Sequence, residues 1–181
     1  MLRRSPLGGQ ITHRVLVTLI VCLCLIFAGV LFVLFSGIGG PSPDRPVPVI
    51  VGNDANITHS FEIWVVKYPG NMTIRRSDGR IVNGSGGPGL VNTNSGPHHY
   101  LSIEFTDSAR LHTRQRLVPG EENTSYVKNF SSEKMVFVLV YEGDQKIISY
   151  VSAHCKSHLI GLEVHSYPTP PGGVWAGYQC W

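Results

Sequence analysis

Two cysteines in the C-terminal part of the chain, Cys155 and Cys180, carry the most reactive side chains outside the apolar N-terminal run. The other two of the four cysteines, Cys22 and Cys24, lie inside that run. In an oxidising compartment two leftover thiols most often pair. The bridge would close a loop of about 25 residues and is expected to add roughly 3–4 kcal/mol on the chain-entropy account. We therefore predict a disulfide if this part of the chain is exported.

Metal binding is a second use of the same cysteine. The segment Cys155-Lys156-Ser157-His158 lies between two predicted strands, and His112 lies 43 residues before Cys155. This arrangement resembles the copper loop of cupredoxins. The resemblance implies a metal site formed by His112, Cys155 and His158, and a His₂Cys set suits blue copper. The alternative function is therefore a cupredoxin-like copper domain that transfers electrons; otherwise no cofactor or metal is expected.

Basic side chains recur at every second position of one segment, where strand alternation would place them on one face. They are Arg110, His112, Arg114 and Arg116. The stripe is either a solvated face balanced by nearby acids or an anion-binding site for acidic glycans or lipid head groups. Nucleic acid is not expected as a partner, because the region after the apolar run is neutral overall.

Catalysis has little support in the sequence. The chain has no nucleophile-elbow pattern, no phosphate-binding loop and no metalloprotease motif. The neighbouring Glu121 and Glu122 would point in opposite directions on a strand, so they would not form an acid/base pair. We therefore do not expect an enzyme, and a small hydrolase with an unrecognised site is a third and weaker alternative.

Five asparagines occur in the acceptor pattern for N-linked glycosylation, and all of them follow the apolar run. They are Asn56, Asn71, Asn83, Asn123 and Asn129. One such sequon is a weak motif, but a set of five agrees with export.

The apolar run from Val15 to Phe35 is 21 residues long, has no charge and contains 16 Val, Leu, Ile or Phe residues. At about 1.5 Å per residue, a helix of this length spans the ~30 Å hydrocarbon core of a bilayer. We therefore predict a transmembrane signal-anchor helix over residues 15–36. A cleaved secretory signal is the alternative, although the apolar core of such a signal is only ~7–15 residues long.

The charges around this helix predict its orientation. Arg3, Arg4 and Arg14 precede it, so the positive-inside rule keeps residues 1–14 in the cytoplasm. The other 12 Lys and Arg residues and all 12 Asp and Glu residues follow it, which leaves the outer region neutral. The expected location is the plasma membrane, crossed once, with the C-terminal domain extracellular.

The region outside the membrane divides into a stalk and one domain. Residues 37–48 contain four prolines and predict an extended stalk, while residues 49–181 are long enough for a domain with its own core. Runs such as Phe61–Val66 and the turn signal Asp78-Gly79 are typical of β-structure. We expect an all-β fold, an antiparallel two-sheet sandwich of immunoglobulin-like or cupredoxin-like type, with a closed barrel as the alternative.

Two segments of this domain give more specific predictions. Met135–Tyr141 is seven apolar residues in a row, which favours a strand buried on both faces. Asn83–His99 contains five glycines and two prolines and is predicted to be a disordered loop.

Four segments of the outer region carry a resemblance to a family. They are Ser60–Val66, Val118–Asn123, Ile148–Ala153 and Tyr167–Gly173. With the anchor and the stalk, they resemble the small exported, membrane-anchored β domains of haloarchaea. The resemblance implies a cell-surface location and supplies no activity or site residues. We therefore expect a non-catalytic binding or cell-envelope role, with the bilayer as partner through residues 15–36 and a cell-surface protein or acidic glycan as a further partner.

Overall fold

The computed structural model describes residues 45–93, 98–168 and 173–181. The predicted cytoplasmic tail, membrane helix and most of the stalk, over residues 1–44, lie outside the described residues. Within the described ranges no helix is long and apolar enough to cross a bilayer. These ranges instead form twelve β-strands. The strands are β1 (Val47–Asn53), β2 (His59–Lys67), β3 (Asn71–Arg76), β4 (Ile81–Ser85), β5 (Leu90–Thr93), β6 (Tyr100–Phe105), β7 (Ala109–Leu117), β8 (Glu122–Val127), β9 (Lys134–Glu142), β10 (Lys146–Ala153), β11 (Leu159–Tyr167) and β12 (Gly173–Cys180).

The twelve strands form two sheets, which confirms the all-β, two-sheet part of the prediction. Sheet A has the order β12-β11-β1-β8, and sheet B has the order β4-β3-β6-β10-β9-β2-β7, with β5 also paired to β10. Sheet A is not purely antiparallel, because β1 and β11 run parallel with Val49 opposite Leu162. No hairpin joins these two strands, which are far apart in the chain, so their relative direction is not set by a turn.

The two sheets pack against each other through one apolar core. Alternate residues of β1 and β11 point into it from sheet A, and alternate residues of β2 and β9 from sheet B. These buried residues include Val49, Val51, Phe61, Ile63, Val136, Val138, Val140, Leu162 and Val164. Val47 is also fully buried in this core, so the folded domain begins two residues earlier than the predicted boundary.

The apolar run in β9 is buried on both faces from Met135 to Val140, as predicted. Its even-numbered residues belong to the core between the sheets, whereas Met135, Phe137 and Leu139 belong to a second core shared with β3 and β6. Strand β6 pairs with β10 only at Tyr100 and Ile147. The strands β3, β4 and β6 therefore fold across the outer side of β9 and bury it a second time.

The prediction of a disordered loop over Asn83–His99 is wrong for most of its described residues. Asn83–Ser85 completes β4, and Leu90–Thr93 forms β5 and pairs with β10. Between these strands Gly86 lies against Met135, and a Cβ added at Gly86 would be 2.5 Å from the methionine methyl carbon. At Gly86 the absence of a side chain permits close packing.

Candidate functional site

Cys155 and Cys180 form a disulfide, with a Cα–Cα distance of 5.7 Å. This confirms the sequence prediction. Strand β12 pairs with β11 so that Cys180 lies opposite Leu159, which returns the end of the chain to the segment after β10. The bond therefore fixes the last strand of sheet A to the segment that joins β10 and β11.

The structure does not assemble the alternative copper site. The Sγ atom of Cys155 is bonded to Cys180, so no thiolate is available there as a ligand. His112 lies on β7, an edge strand of sheet B, and His158 lies just before β11 of sheet A. Across residues 45–93, 98–168 and 173–181, no three His, Cys, Asp or Glu side chains are grouped as metal ligands.

The four basic residues of the predicted stripe all lie on β7, but they do not share one face. The register with β2 shifts by one residue at His112, which marks a β-bulge. One extra residue reverses the alternation of side chains along a strand. Arg114 is then opposite Glu62, whereas Arg110 is opposite Val65, whose side chain belongs to the core between the sheets. The bulge thus separates Arg110 from Arg114 and Arg116.

The two arginines that remain together are already paired with carboxylates. In Arg114, Nη1 lies 3.6 Å from Glu62 Oε1 and Nη2 lies 3.7 Å from Asp144 Oδ1. In Arg116, Nη1 lies 3.4 Å from Asp144 Oδ2. The Arg114 guanidinium also lies 5.5 Å from the centroid of the Tyr141 ring. An anionic ligand would have to compete with both carboxylates, so this arrangement favours the solvated, charge-balanced interpretation.

Asp144 is the carboxylate that Arg114 and Arg116 share at this face. Ser60 Oγ donates a 2.7 Å hydrogen bond to Asp144 Oδ1, and this bond, with Arg116 and Arg114 nearby, lowers the carboxyl pKa below its ordinary value. In the variant Asp144→Asn the two arginines lose a charged partner. We expect this variant to elute from heparin at a higher salt concentration than the parent protein.

A matched variant separates this local effect from the change in net charge. Glu142→Gln also removes one negative charge, but Glu142 is paired with Lys146, at 2.6 Å. It frees one lysine where Asp144→Asn frees two arginines, so its shift on heparin is expected to be smaller. Equal shifts for Asp144→Asn and Glu142→Gln would contradict a special role for Asp144.

A polar cluster buried between the sheets is the main feature that the sequence did not predict. It consists of Asn53, His59 and Ser166, which are 0%, 2% and 0% exposed. The amide nitrogen of Asn53 donates to the carbonyl oxygens of Ile57 and Leu117, at 2.8 and 2.9 Å. This fixes the amide orientation and turns Oδ1 of Asn53 toward the other two side chains.

The contacts among these side chains favour one tautomer of His59 and differ from those of a catalytic triad. His59 Nδ1 lies 3.1 Å from Asn53 Oδ1 and 2.8 Å from Ser166 Oγ. Because Oδ1 only accepts hydrogen bonds, Nδ1 carries the proton. Ser166 Oγ donates to the same Oδ1, at 3.0 Å, so its proton does not face a free imidazole nitrogen. The cluster therefore joins β1, β2 and β11 and offers no general base to the serine.

The buried histidine makes stability depend on pH. Burial lowers the pKa of His59 from its ordinary 6.5, against an opposing effect of Glu142. As pH falls, the unfolded chain takes up this proton before the folded chain does. The contribution of His59 to stability is thus complete above pH 6.5 and is lost as pH falls from 6.5 through the folded-state pKa.

Substitution of His59 tests this pH dependence. Urea unfolding at about pH 7.5 and about pH 5.5 is expected to show a smaller pH-dependent loss of stability in His59→Gln than in the parent protein. His112→Gln is the comparison at a more exposed position: burial and Arg110 also lower the pKa of His112, so this variant should change the pH dependence in the same direction. An unchanged pH dependence in His59→Gln would contradict the prediction.

The five sequon asparagines lie at the surface of the described structure. Asn56, Asn71, Asn83, Asn123 and Asn129 are all exposed. Two of the sequons face each other across the β3–β4 hairpin, because Thr73 Oγ1 donates to Asn83 Oδ1 at 3.2 Å. Thr73 is the hydroxyl residue of the sequon that begins at Asn71, so these two acceptor sites are neighbours.

The outer face of sheet A combines a depression with exposed aromatic side chains. Here the outer face means the side chains that alternate with the core residues of β8, β1, β11 and β12. They are Glu122, Thr124, Tyr126, Pro48, Ile50, Gly52, Gly161, Glu163, His165, Tyr167, Gly173, Trp175, Gly177 and Gln179. A depression of about 450 Å³ lies on this face. Its lining includes Pro48, Ile50, Gly161, Glu163, Gly177 and Gln179.

Comparison with known proteins adds a single weak likeness. No protein family matches the chain, and no curated protein matches it. A solved structure titled "Trapped Toxin" is similar over 76% of this chain and 24% of that chain, with 8% sequence identity and a TM-score of 0.34. The chain thus spans about a quarter of that structure, and so weak a likeness carries no argument. What the fold and its contacts define is an all-β protein of two sheets, closed by one disulfide.

Proposed function

We propose that this chain is a single-pass membrane protein whose β-domain lies outside the cell and binds a partner there without catalysis. The observation that supports this most strongly is the Cys155–Cys180 disulfide. Structural disulfides persist in oxidising compartments and are rare in the cytosol. The apolar run at residues 15–36, preceded by three arginines, supplies the anchor and the orientation.

Two further observations agree with an exported binding domain. The five sequon asparagines are exposed, so glycans could be attached without disturbing either core. The Asn53–His59–Ser166 cluster lies within the protein, and its serine hydroxyl donates to Asn53 rather than to the imidazole, unlike the serine of a hydrolase triad. A binding role therefore has more support than a catalytic one.

The packing of the sheets also favours one form of the fold. Residues of sheet A and sheet B share one core, which supports a two-sheet sandwich. The copper ligands that characterise the cupredoxin-like alternative are not grouped in the described part of the chain. We therefore favour the immunoglobulin-like form, with a parallel β1–β11 pair in sheet A.

The membrane topology of the chain, measured in sealed cells, tests the proposal. A chain with one tag at each end is expressed, and protease is added outside the cells. The C-terminal tag is expected to be lost while the N-terminal tag is retained until lysis, and alkaline carbonate is expected to leave the chain in the membrane. A protected C-terminal tag, or release of the intact chain by carbonate, would contradict the proposed location.

A further inference from the structure

Trp175 forms a fixed, flat surface on the outer face of sheet A. Its indole lies over Gly177, where an added Cβ would be 2.9 Å from the Cη2 atom of the ring. The His165 ring stands beside it, with 6.0 Å between centroids and 60° between planes. His165 is itself held at its two nitrogens by Asp54 and Glu163, each at 2.9 Å. The indole is thus supported by its neighbours, yet Trp175 is 48% exposed.

A second aromatic side chain lies on the same face, across the sheet. Tyr126 on β8 is opposite Pro48 of β1 and is 58% exposed. Three strand spacings and four residues along the strands separate Tyr126 from Trp175. This corresponds to about 20 Å, at ~4.8 Å per strand and ~3.3 Å per residue. A ligand that contacts both rings must be elongated.

The depression on this face combines a glycine at Gly161 with polar side chains. Gly161 leaves the sheet backbone uncovered, whereas the Trp175 indole lies over Gly177. Glu163 and Gln179 line the same depression. The contact with His165 orients the Glu163 carboxylate. Planar carboxylates and amides pair well with neighbouring hydroxyl groups, and the C–H side of a sugar ring packs on an aromatic ring.

The distribution of charge on the outer face of sheet A disfavours acidic ligands. The four strands of sheet A contain no Lys or Arg, whereas the strands of sheet B contain eight. On the outer face of sheet A the charged groups include the carboxylates of Glu122 and Glu163. Arg45 and Lys128 lie beyond the strand ends. A phosphate, sulfate or uronic acid placed on this face would meet carboxylates, because the basic side chain there, His165, already contacts Asp54 and Glu163.

We propose that the outer face of sheet A binds an uncharged oligosaccharide, stacked on Trp175 and Tyr126 and hydrogen-bonded by Glu163 and Gln179. This inference rests on the extracellular binding role proposed above and names its ligand class. None of the outward positions in the four strands is a sequon asparagine, so the protein's own glycans would leave the face open.

Affinity electrophoresis of the full chain in a neutral detergent tests the ligand class. Separate gels contain mannan, β-glucan or galactan as uncharged polymers, and heparin or polylysine as charged ones. The parent protein is expected to be retarded by at least one uncharged polymer, and Trp175→Ala is expected to weaken that binding at least about tenfold. Trp181→Ala is the matched control, because Trp181 is 64% exposed and lies after β12.

A variant that fills the depression tests the proposal without removing Trp175. A Cβ at Gly161 would make only ordinary contact with Pro48, at 3.5 Å, so Gly161→Ile is expected to fold and to block the depression. It should lose retardation while keeping the parent's circular dichroism and disulfide, and Tyr126→Ala should weaken binding in the same gels. Both variants remain informative if Trp175→Ala fails to fold.

Several results would overturn the proposal. One is that no uncharged polymer retards the parent protein. Another is that the parent protein, Gly161→Ile and Tyr126→Ala are retarded equally. A third is that heparin or polylysine alone retards the protein. Polylysine binding that depends on Trp175 would point instead to a cationic peptide. The topology experiment reads out location separately, so a correctly oriented chain without sugar binding refutes the ligand and leaves the proposed location standing.

Discussion

Replacing Phe137 by alanine is expected to lower the free energy of unfolding by about 3–5 kcal/mol. Phe137 is fully buried in the second core, where its ring lies edge-on to Phe105 at 5.0 Å and stacks on Tyr150 at 5.3 Å between centroids. These three residues come from β9, β6 and β10. Alanine would leave a cavity at the point where the folded-over part of sheet B meets β9.

Urea unfolding followed by circular dichroism measures this effect. Leu101→Ala is the control, because Leu101 is on β6 in the same layer but is 57% exposed. The control is expected to change the free energy of unfolding by no more than about 0.5 kcal/mol. If Phe137→Ala were as mild as Leu101→Ala, then β3 and β6 would not be packed on β9 as described.

The sequence predicted the elements of this fold better than their arrangement. The apolar run Met135–Tyr141 predicted a strand buried on both faces, because a strand with one wet face alternates polar and apolar residues. The turn signal Asp78-Gly79 joins β3 and β4, where Gly79 has a φ of 79°. Both predictions depend on backbone conformation and burial, and a short segment of sequence carries enough information for both.

Arrangements that depend on pairing between distant segments were not predictable in this way. The bulge at His112 exists only relative to β2, and it converts a period-two run of basic residues into two sets on opposite faces. The parallel β1–β11 pair and the folding of β6 over β9 likewise join segments with no common turn. Asn83–His99 was predicted wrongly because Gly86 resembles a flexible residue until its packing against Met135 is known.

The candidate site shows the same division between local and distant information. The disulfide was predictable because only two cysteines lie outside the apolar run, so a single pairing within the chain was available there. The surface that includes Tyr126 and Trp175 was not predictable, because strand register alone places these residues on one face. The same holds for the buried Asn53–His59–Ser166 cluster, since each residue is an ordinary polar side chain in its own strand.

Removing the disulfide is expected to have the second large effect on stability and to weaken binding at the proposed sugar-binding face. The double variant Cys155→Ser, Cys180→Ser frees a loop closed across a sequence separation of 25 residues. By the chain-entropy account, the loss of stability is about 3–4 kcal/mol. Reduction of the parent protein should give the same loss, and the reductant should not change the double variant. Stability equal to that of the oxidised parent would contradict this account.

The position of the disulfide predicts which strand its removal destabilises first. Among the described residues, strand β12 is an edge of sheet A and pairs with β11 alone, so the disulfide supplements this ladder. Edge elements with few partners open at lower free energy than the strands of a core. Trp175 lies on β12, and we therefore expect reduction to weaken retardation by the uncharged polymer before global unfolding begins. Retardation that persists until the sheet unfolds would show that β12 stays in place without the covalent bond.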